Sequence, residues 1–489
     1  MGGSNAKGPH KHNRMINSNG SQTADPRAVD ARISPAPRRG GWGWSLLLGI
    51  ALAGIYEGNR IDPVGQEDTL PGELLPLAIA RGDGPYLDRY KLVLLQTPNG
   101  IPPWSMKRWH GHLISRYAMA PVLINTPLVA IQLAVVDWLD PGWDKNPGLA
   151  ALRASRMCKV ASALIVALTA VAIHRLLRQL GVGPMAVPAT LAVALGSDLW
   201  VVASQAPWEH GSAALMLTLS LILLTPRPLN KARLFLGGAT TAMMVCCRQI
   251  DLVFAIALLL RVIFERPRAL LWFLPAPLVL GSALIASNWA FFGSVAGGHT
   301  ELESLHPTLH GLNGIWSGDI VDGFTGTLFS PNRGLLVFCP WIVVALGTLP
   351  AIWGRLRAWS LGTWLIGALV ADLLVLSKYS VWWGGHTFGP RYWTDAIPIF
   401  AVLLGFGLDW AWTRCRPVAF VFGITILTAI GIQVIGAFCF PSSWNVSPAD
   451  VDRHHDRVWD WSDNEIRRCL REGLQPWSRL KDPYWNRRR

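Results

Sequence analysis

Glu67-Asp68-Thr69 stands about ten residues beyond the first apolar run, early in a long polar stretch. A carboxylate held at the membrane–water boundary can take the proton of a hydroxyl acceptor while a lipid-linked donor presents its reactive carbon from the bilayer. The plainer reading is a solvated loop acid, and Asp62, Glu73, Asp83 and Asp88 are read that way. A second group is Trp382-Trp383-Gly384-Gly385-His386-Thr387-Phe388-Gly389-Pro390-Arg391-Tyr392, closing at Asp395. Its Gly and Pro residues allow a tight, closely approached backbone. Arg391 then stands at the mouth of a helix, suited to gripping a phosphate through a fork of charge-assisted hydrogen bonds. Otherwise it is a headgroup anchor, as many interfacial Arg are.

Weaker candidates repeat the theme of a polar residue at an apolar boundary. Arg333, in Ser330-Pro331-Asn332-Arg333-Gly334, is either a second phosphate contact or a juxtamembrane anchor. Glu209 and His210, in Ser204-Gln205-Ala206-Pro207-Trp208-Glu209-His210-Gly211, suit sugar or metal binding, and a helix-capping role equally well. Arg116 lies in Ser115-Arg116-Tyr117, and His386 and Tyr392 flank the Gly-Pro turn. Asp198, Asp251 and Asp372 lie near or inside apolar runs; intramembrane acids are functional candidates by default, yet three scattered ones draw no ion path. His306 and His310 have i, i+4 spacing without an acid partner, so no metal motif is recognised. The seven cysteines show no C-x-x-C spacing, and neither a disulfide framework nor a zinc site is indicated.

The elements that must hold these residues are set by composition. Of 489 residues, 51% are hydrophobic and 15% charged, where soluble domains carry roughly a quarter charged. The apolar residues fall in runs of roughly 17–25, the length that crosses a bilayer core. A soluble globular enzyme is excluded. The net charge of +13 (44 − 31) sits in tails and short loops, the pattern of membrane topology rather than of nucleic-acid binding. Twenty-five Trp suit interfacial belts and sugar-stacking surfaces alike.

Residues 1–42, with seven Lys or Arg against two Asp, read as a disordered cytoplasmic tail, and 43–56 as the body of an uncleaved first helix. A large extracytoplasmic loop covers about 57–113. Apolar segments follow at about 115–137, 157–178, 185–205, 211–225, 234–247, 252–264, 269–292, 332–354, 359–378, 392–413 and 417–440. Basic clusters at Arg175/Arg178, Arg227/Lys231/Arg233, Arg266/Arg268, Arg355/Arg357 and Arg414/Arg416 are assigned to the cytoplasm, which puts 204–210, 293–331, 379–391 and the tail 441–489 outside. That leaves one crossing too many unless 115–137 is re-entrant or interfacial, or 234–264 is one long helix. The fold class is therefore an all-α membrane protein, a polytopic bundle of about 11–13 helices over 43–440. The Trp-rich tail is too short and polar for a core of its own and is expected on the membrane surface or over the outer loops.

The order of these features resembles the GT-C superfamily of integral membrane glycosyltransferases, which includes protein O-mannosyltransferases and the lipid A aminoarabinose transferases. Asp68 falls where those families carry a catalytic acid after the first helix. The segments 114–121 (ISRYAMAP), 204–211, 330–334 and 382–398 (WWGGHTFGPRYWTDAIP) look like motifs of uncharacterised bacterial members. The chain departs from better-known members in showing Glu67-Asp68 rather than Asp-Glu, and in lacking a large soluble C-terminal domain. The resemblance implies a GT-C-like fold in the cell (inner) membrane with an extracytoplasmic site. It implies inverting transfer of a sugar from a polyprenyl-phosphate donor to a glycan, lipid or protein acceptor. Asp68, with Glu67 beside it, would be the catalytic acid. No cofactor is assigned; a divalent cation stays open as an assistant. Competing readings are a transporter or flippase of lipid-linked glycans, and a non-catalytic envelope scaffold. A transporter concentrates charged and broken-helix residues at mid-membrane, whereas here they crowd into outer loops.

Overall fold

The computed structural model describes residues 2, 42–59, 68–95, 100–226, 228–305, 314–439 and 443–474. Expectations for most of the N-terminal tail, for Glu67, His306 and His310 and for the end of the C-terminal tail lie outside these residues.

The apolar runs fold as helices because a backbone in hydrocarbon must satisfy its own N–H and C=O groups. In order these are α1 (Trp42–Gly58), α2 (Leu70–Ala80), α3 (Met119–Leu139), α4 (Pro147–Gln179), α5 (Ala186–Leu195), α6 (Glu209–Leu224), α7 (Lys231–Cys247), α8 (Leu252–Glu265) and α9 (Pro275–Phe292). They continue as α10 (Ile320–Phe329), α11 (Trp341–Gly347), α12 (Leu349–Ala358), α13 (Gly362–Lys378), α14 (Ile397–Arg414), α15 (Arg416–Cys439) and α16 (Glu465–Glu472). The chain is an all-α polytopic bundle. Five described helices, or six if the pair α12/α13 bent by 119° is one span, are long and apolar enough to cross a membrane. Of the other apolar runs, 185–205 and 332–354 are split into shorter pieces, while the rest form single helices of 14–17 residues, so whole spans and helices do not correspond one to one.

The breaks have local causes. The run 185–205 divides at Gly196, after which Leu199–Ala203 winds as a π-helical turn. The run 234–264 is two helices rather than one, because Arg248 leaves helical geometry and Gln249–Asp251 forms a separate 3₁₀ turn. The central core gathers α4 to α8 around α14, whose residues from Ile397 to Leu408 are all buried. α9 and α15 lie at the rim, with only 6% and 17% of their apolar windows buried against protein, so their remaining surface suits lipid.

The polar stretch 57–113, in its described residues, is built rather than open. Its two apolar patches become α2 and a short helix, Lys91–Leu94, and α2 buries Leu70, Leu74, Leu75 and Leu77 in a second core with α3 and the first half of α4. Glu73, read as a solvated acid, is 1% exposed; its carboxylate accepts hydrogen bonds from Thr69 and Ser155. A β-hairpin, β1 (Met106–Trp109) and β2 (His112–Ser115), closes the stretch. His110 and Gly111 both have positive φ, as a two-residue turn with the twist of its strands requires.

The tail packs over the 379–391 loop: Trp444, Val451 and Val458 are buried against Val381, Trp382 and Trp383. Here one expectation is corrected. Cys439, at the end of α15, and Cys469, in α16, form a disulfide that pins the tail back to the bundle. Neither spacing nor composition marks this pair, because one thiol closes an apolar run and the other follows 30 residues later in a polar helix.

Candidate functional site

Three segments distant in sequence meet at one end of the bundle. The first is the start of the polar stretch after α1. Asn59 donates from Nδ2 to Gln205 Oε1 and to the Ala437 carbonyl, each at 3.0 Å, which fixes where the chain leaves α1. Asp68 re-enters just before α2, a helix anchored to α4 through Glu73 and Ser155. Its carboxylate is therefore carried on a braced helix start.

The second segment is the Gly-rich loop. Phe388 is fully buried, with its ring centroid 5.3 Å from that of Phe338. Gly389 has φ +75°, and a Cβ there would meet Phe338 at 2.8 Å, so the turn admits only glycine. That turn delivers Arg391 to the start of a 3₁₀ turn, Arg391–Ala396, that leads into α14. Arg391 Nη1 donates to Asp68 Oδ2 at 3.0 Å, with side chains only 12% and 20% exposed. The guanidinium lies 5.0 Å above the Trp208 ring and 5.3 Å from its neighbour Tyr392. Its Nε is buried and has no hydrogen-bond partner among the described residues. The other oxygen of Asp68 accepts from the Tyr117 hydroxyl at 3.0 Å. Burial first, and the charge of Asp68 next, hold the Tyr117 phenol well above its ordinary range, so it stays a donor.

The third segment opens α6. The Ala118 N–H donates to Glu209 at 3.4 Å, and His210 Nδ1 lies 3.0 Å from Asp395 Oδ1. Asp395 is also paired with Arg248, whose Nη1 reaches the Tyr392 carbonyl at 3.4 Å. The structure thus gathers Asp68, Arg391, Tyr392, Glu209 and His210. A carboxylate, a guanidinium with an unused donor and an aromatic wall are what general-base catalysis beside a bound anion needs.

Other candidates stand apart. Arg116, one residue from Tyr117, braces the hairpin: its Nε donates to Glu301 at 3.1 Å and its Nη1 to the Trp104 carbonyl at 2.6 Å. Arg333 is 2% exposed, and all five of its N–H groups are engaged by Trp383, Gly385 and Asn332 carbonyls, Asn445 and Glu465. It has no donor left for a phosphate and is a strut between loop and tail. His386 faces the tail, 3.3 Å from Asp450 and 3.7 Å from Asp452. These three are the described set that could hold a cation, with ligand atoms within 4.8 Å of one another. Hydrogen bonds from Trp383 Nε1 to Asp452 and from the Asp452 N–H to Asp450, each 2.9 Å, already account for how the carboxylates point. Arg248 escaped the sequence reading; its signal is an Arg and an acid, Asp251, interrupting an apolar run.

No protein-family model and no curated protein matches this chain. Among solved structures, it is similar to one described as the crystal structure of ArnT from Cupriavidus metallidurans bound to undecaprenyl phosphate. The TM-score is 0.48 at 16% identity, over 82% of this chain and 66% of that one, just under two thirds of its length.

Proposed function

We propose that this protein is a membrane glycosyltransferase that moves a sugar from a polyprenyl-phosphate donor to a hydroxyl acceptor at the outer face, with inversion. The observation that carries the reading is the pairing of Asp68 with Arg391 across 323 residues of sequence. In the proposed step Asp68 takes the acceptor's hydroxyl proton as the acceptor oxygen bonds to the anomeric carbon. The bond from that carbon to the phosphate oxygen breaks, and polyprenyl phosphate leaves with its electron pair. Negative charge on the phosphate grows as the sugar departs, so a fixed guanidinium stabilises the transition state more than the ground state. Arg391, with its Nε unpartnered among the described residues, suits that role, and exchange of Arg391 from Asp68 to the phosphate would free the carboxylate to act as base.

The test uses as donor the polyprenyl-linked sugar that accumulates in cells lacking the protein. Purified protein should transfer that sugar, and Asp68→Asn, which keeps shape but loses the proton acceptor, should slow turnover by about 10²–10⁴. Transfer at the parent rate by Asp68→Asn would remove Asp68 from the chemistry. Glu67→Gln is measured beside it as the fallback acid.

A further inference from the structure

A cavity of about 1020 Å³ opens at the end of the bundle opposite Asp68 and Arg391. Three helices establish the separation. α6 starts at Glu209 in the candidate site and ends at Leu224, beside cavity-lining Thr225. α7 starts at cavity-lining Lys231 and ends next to Arg248, while α8 leaves Asp251 and ends at cavity-lining Glu265. Helices of 16, 17 and 14 residues span roughly 20–25 Å.

The cavity's charge is one-sided. Lys231, Arg266 and Arg268 line it from exposed positions, and none of the three has a carboxylate partner among the described residues. Deeper in, Arg261 is held by Ser360 at 3.1 Å and Glu265 at 2.6 Å, so the wall's single acid is already engaged by an arginine. Lys231 Nζ is poised 4.4 Å above the Trp272 ring. Next to the cations the surface turns apolar: Phe264 and Leu271 are 71% and 74% exposed, and Trp272 is 43% exposed. A soluble anion would meet the cations but has no use for that flank. A lipid uses both.

We propose that this cavity binds the phosphate headgroup of an anionic phospholipid in the leaflet facing that end, with Lys231, Arg266 and Arg268 on the phosphate and the acyl chains along Phe264 and Leu271. Basic pockets between transmembrane helices recognise lipid headgroups by this combination. The site is independent of the chemistry at the other end.

Native mass spectrometry of the purified full-length protein, with phosphatidylglycerol or phosphatidylcholine added, tests it. Phosphatidylglycerol should be retained and phosphatidylcholine not. With roughly fivefold per cation, the triple change Lys231→Gln, Arg266→Gln, Arg268→Gln should weaken phosphatidylglycerol on the order of 100-fold. All three side chains are exposed, and an unchanged melting temperature in lipid-free detergent checks the fold. Should the triple variant misfold, Arg268→Gln alone should cost about fivefold. Equal retention of the two lipids, or unchanged affinity in the variants, overturns the proposal. So does binding of glycerol phosphate or inorganic phosphate as tightly as the lipid, which would make this a soluble-anion site.

Discussion

Asp68 and Arg391 each stand in polar sequence close to an apolar run, which is why the chain alone singles both out as candidates. Arg333 carries the same mark, following Asn and opening a helix, yet the structure buries it. The difference is Glu465, which reaches it from 132 residues away, and no local pattern announces that. Arg248 is the opposite case: it looks like a flaw in an apolar run until Asp395 is placed against it. At this scale the sharpest prediction concerns Arg391. Arg391→Lys keeps the charge but loses the planar fork, so it should leave weak transfer, while Arg391→Ala should be nearly inactive. Donor affinity should fall in both. Single-turnover rates with donor titration check the series. Unchanged affinity and rate in Arg391→Ala would make Arg391 an interfacial anchor.

Among the elements, the apolar runs were readable because hydrocarbon forces helix, whereas their interruptions were not. Gly196 and Arg248 end helices through local backbone caps to the Ala192 and Met244 carbonyls, and an apolar run of this length does not announce where such a cap falls. The tail was harder still, since its burial relies on Trp382 and Trp383 from a loop it meets only after folding. The Arg333–Glu465 pair is the hinge of that docking, with side chains 1% and 0% exposed. Arg333→Ala would strand a buried carboxylate, and breaking a buried pair this way costs roughly 3–5 kcal/mol. The tail should then become sensitive to limited proteolysis near 443–474. Replacing both partners with apolar residues, Arg333→Met with Glu465→Leu, should recover much of the loss, because no uncompensated charge remains. Equal protease resistance of parent and Arg333→Ala would show that the disulfide and the Trp packing hold the tail without the pair.

At the scale of the whole molecule, two independent signs predict the same orientation. The cavity's Lys231, Arg266 and Arg268 gather at one end, and short basic loops face the cytoplasm. The Cys439–Cys469 disulfide belongs to the tail, at the other end, and disulfides persist in oxidising compartments outside the cytoplasm. Together they predict that the tail, and with it Asp68 and Arg391, face outward. The cysteines make this measurable with little engineering. Cys158, Cys246, Cys247 and Cys339 are buried, and Cys439 and Cys469 are bonded to each other. Cys415, between Arg414 and Arg416, is the partly exposed thiol. An exposed cysteine introduced as Ser462→Cys should therefore react with an impermeant thiol reagent in intact spheroplasts. Cys415 should react only after lysis, and a Cys415→Ala variant separates the two signals. The reverse pattern, Cys415 labelled in intact cells and Ser462→Cys only after lysis, would place the Asp68–Arg391 pair on the cytoplasmic side. A donor presented in the outer leaflet could not then reach it, and the outer-face reaction would be untenable.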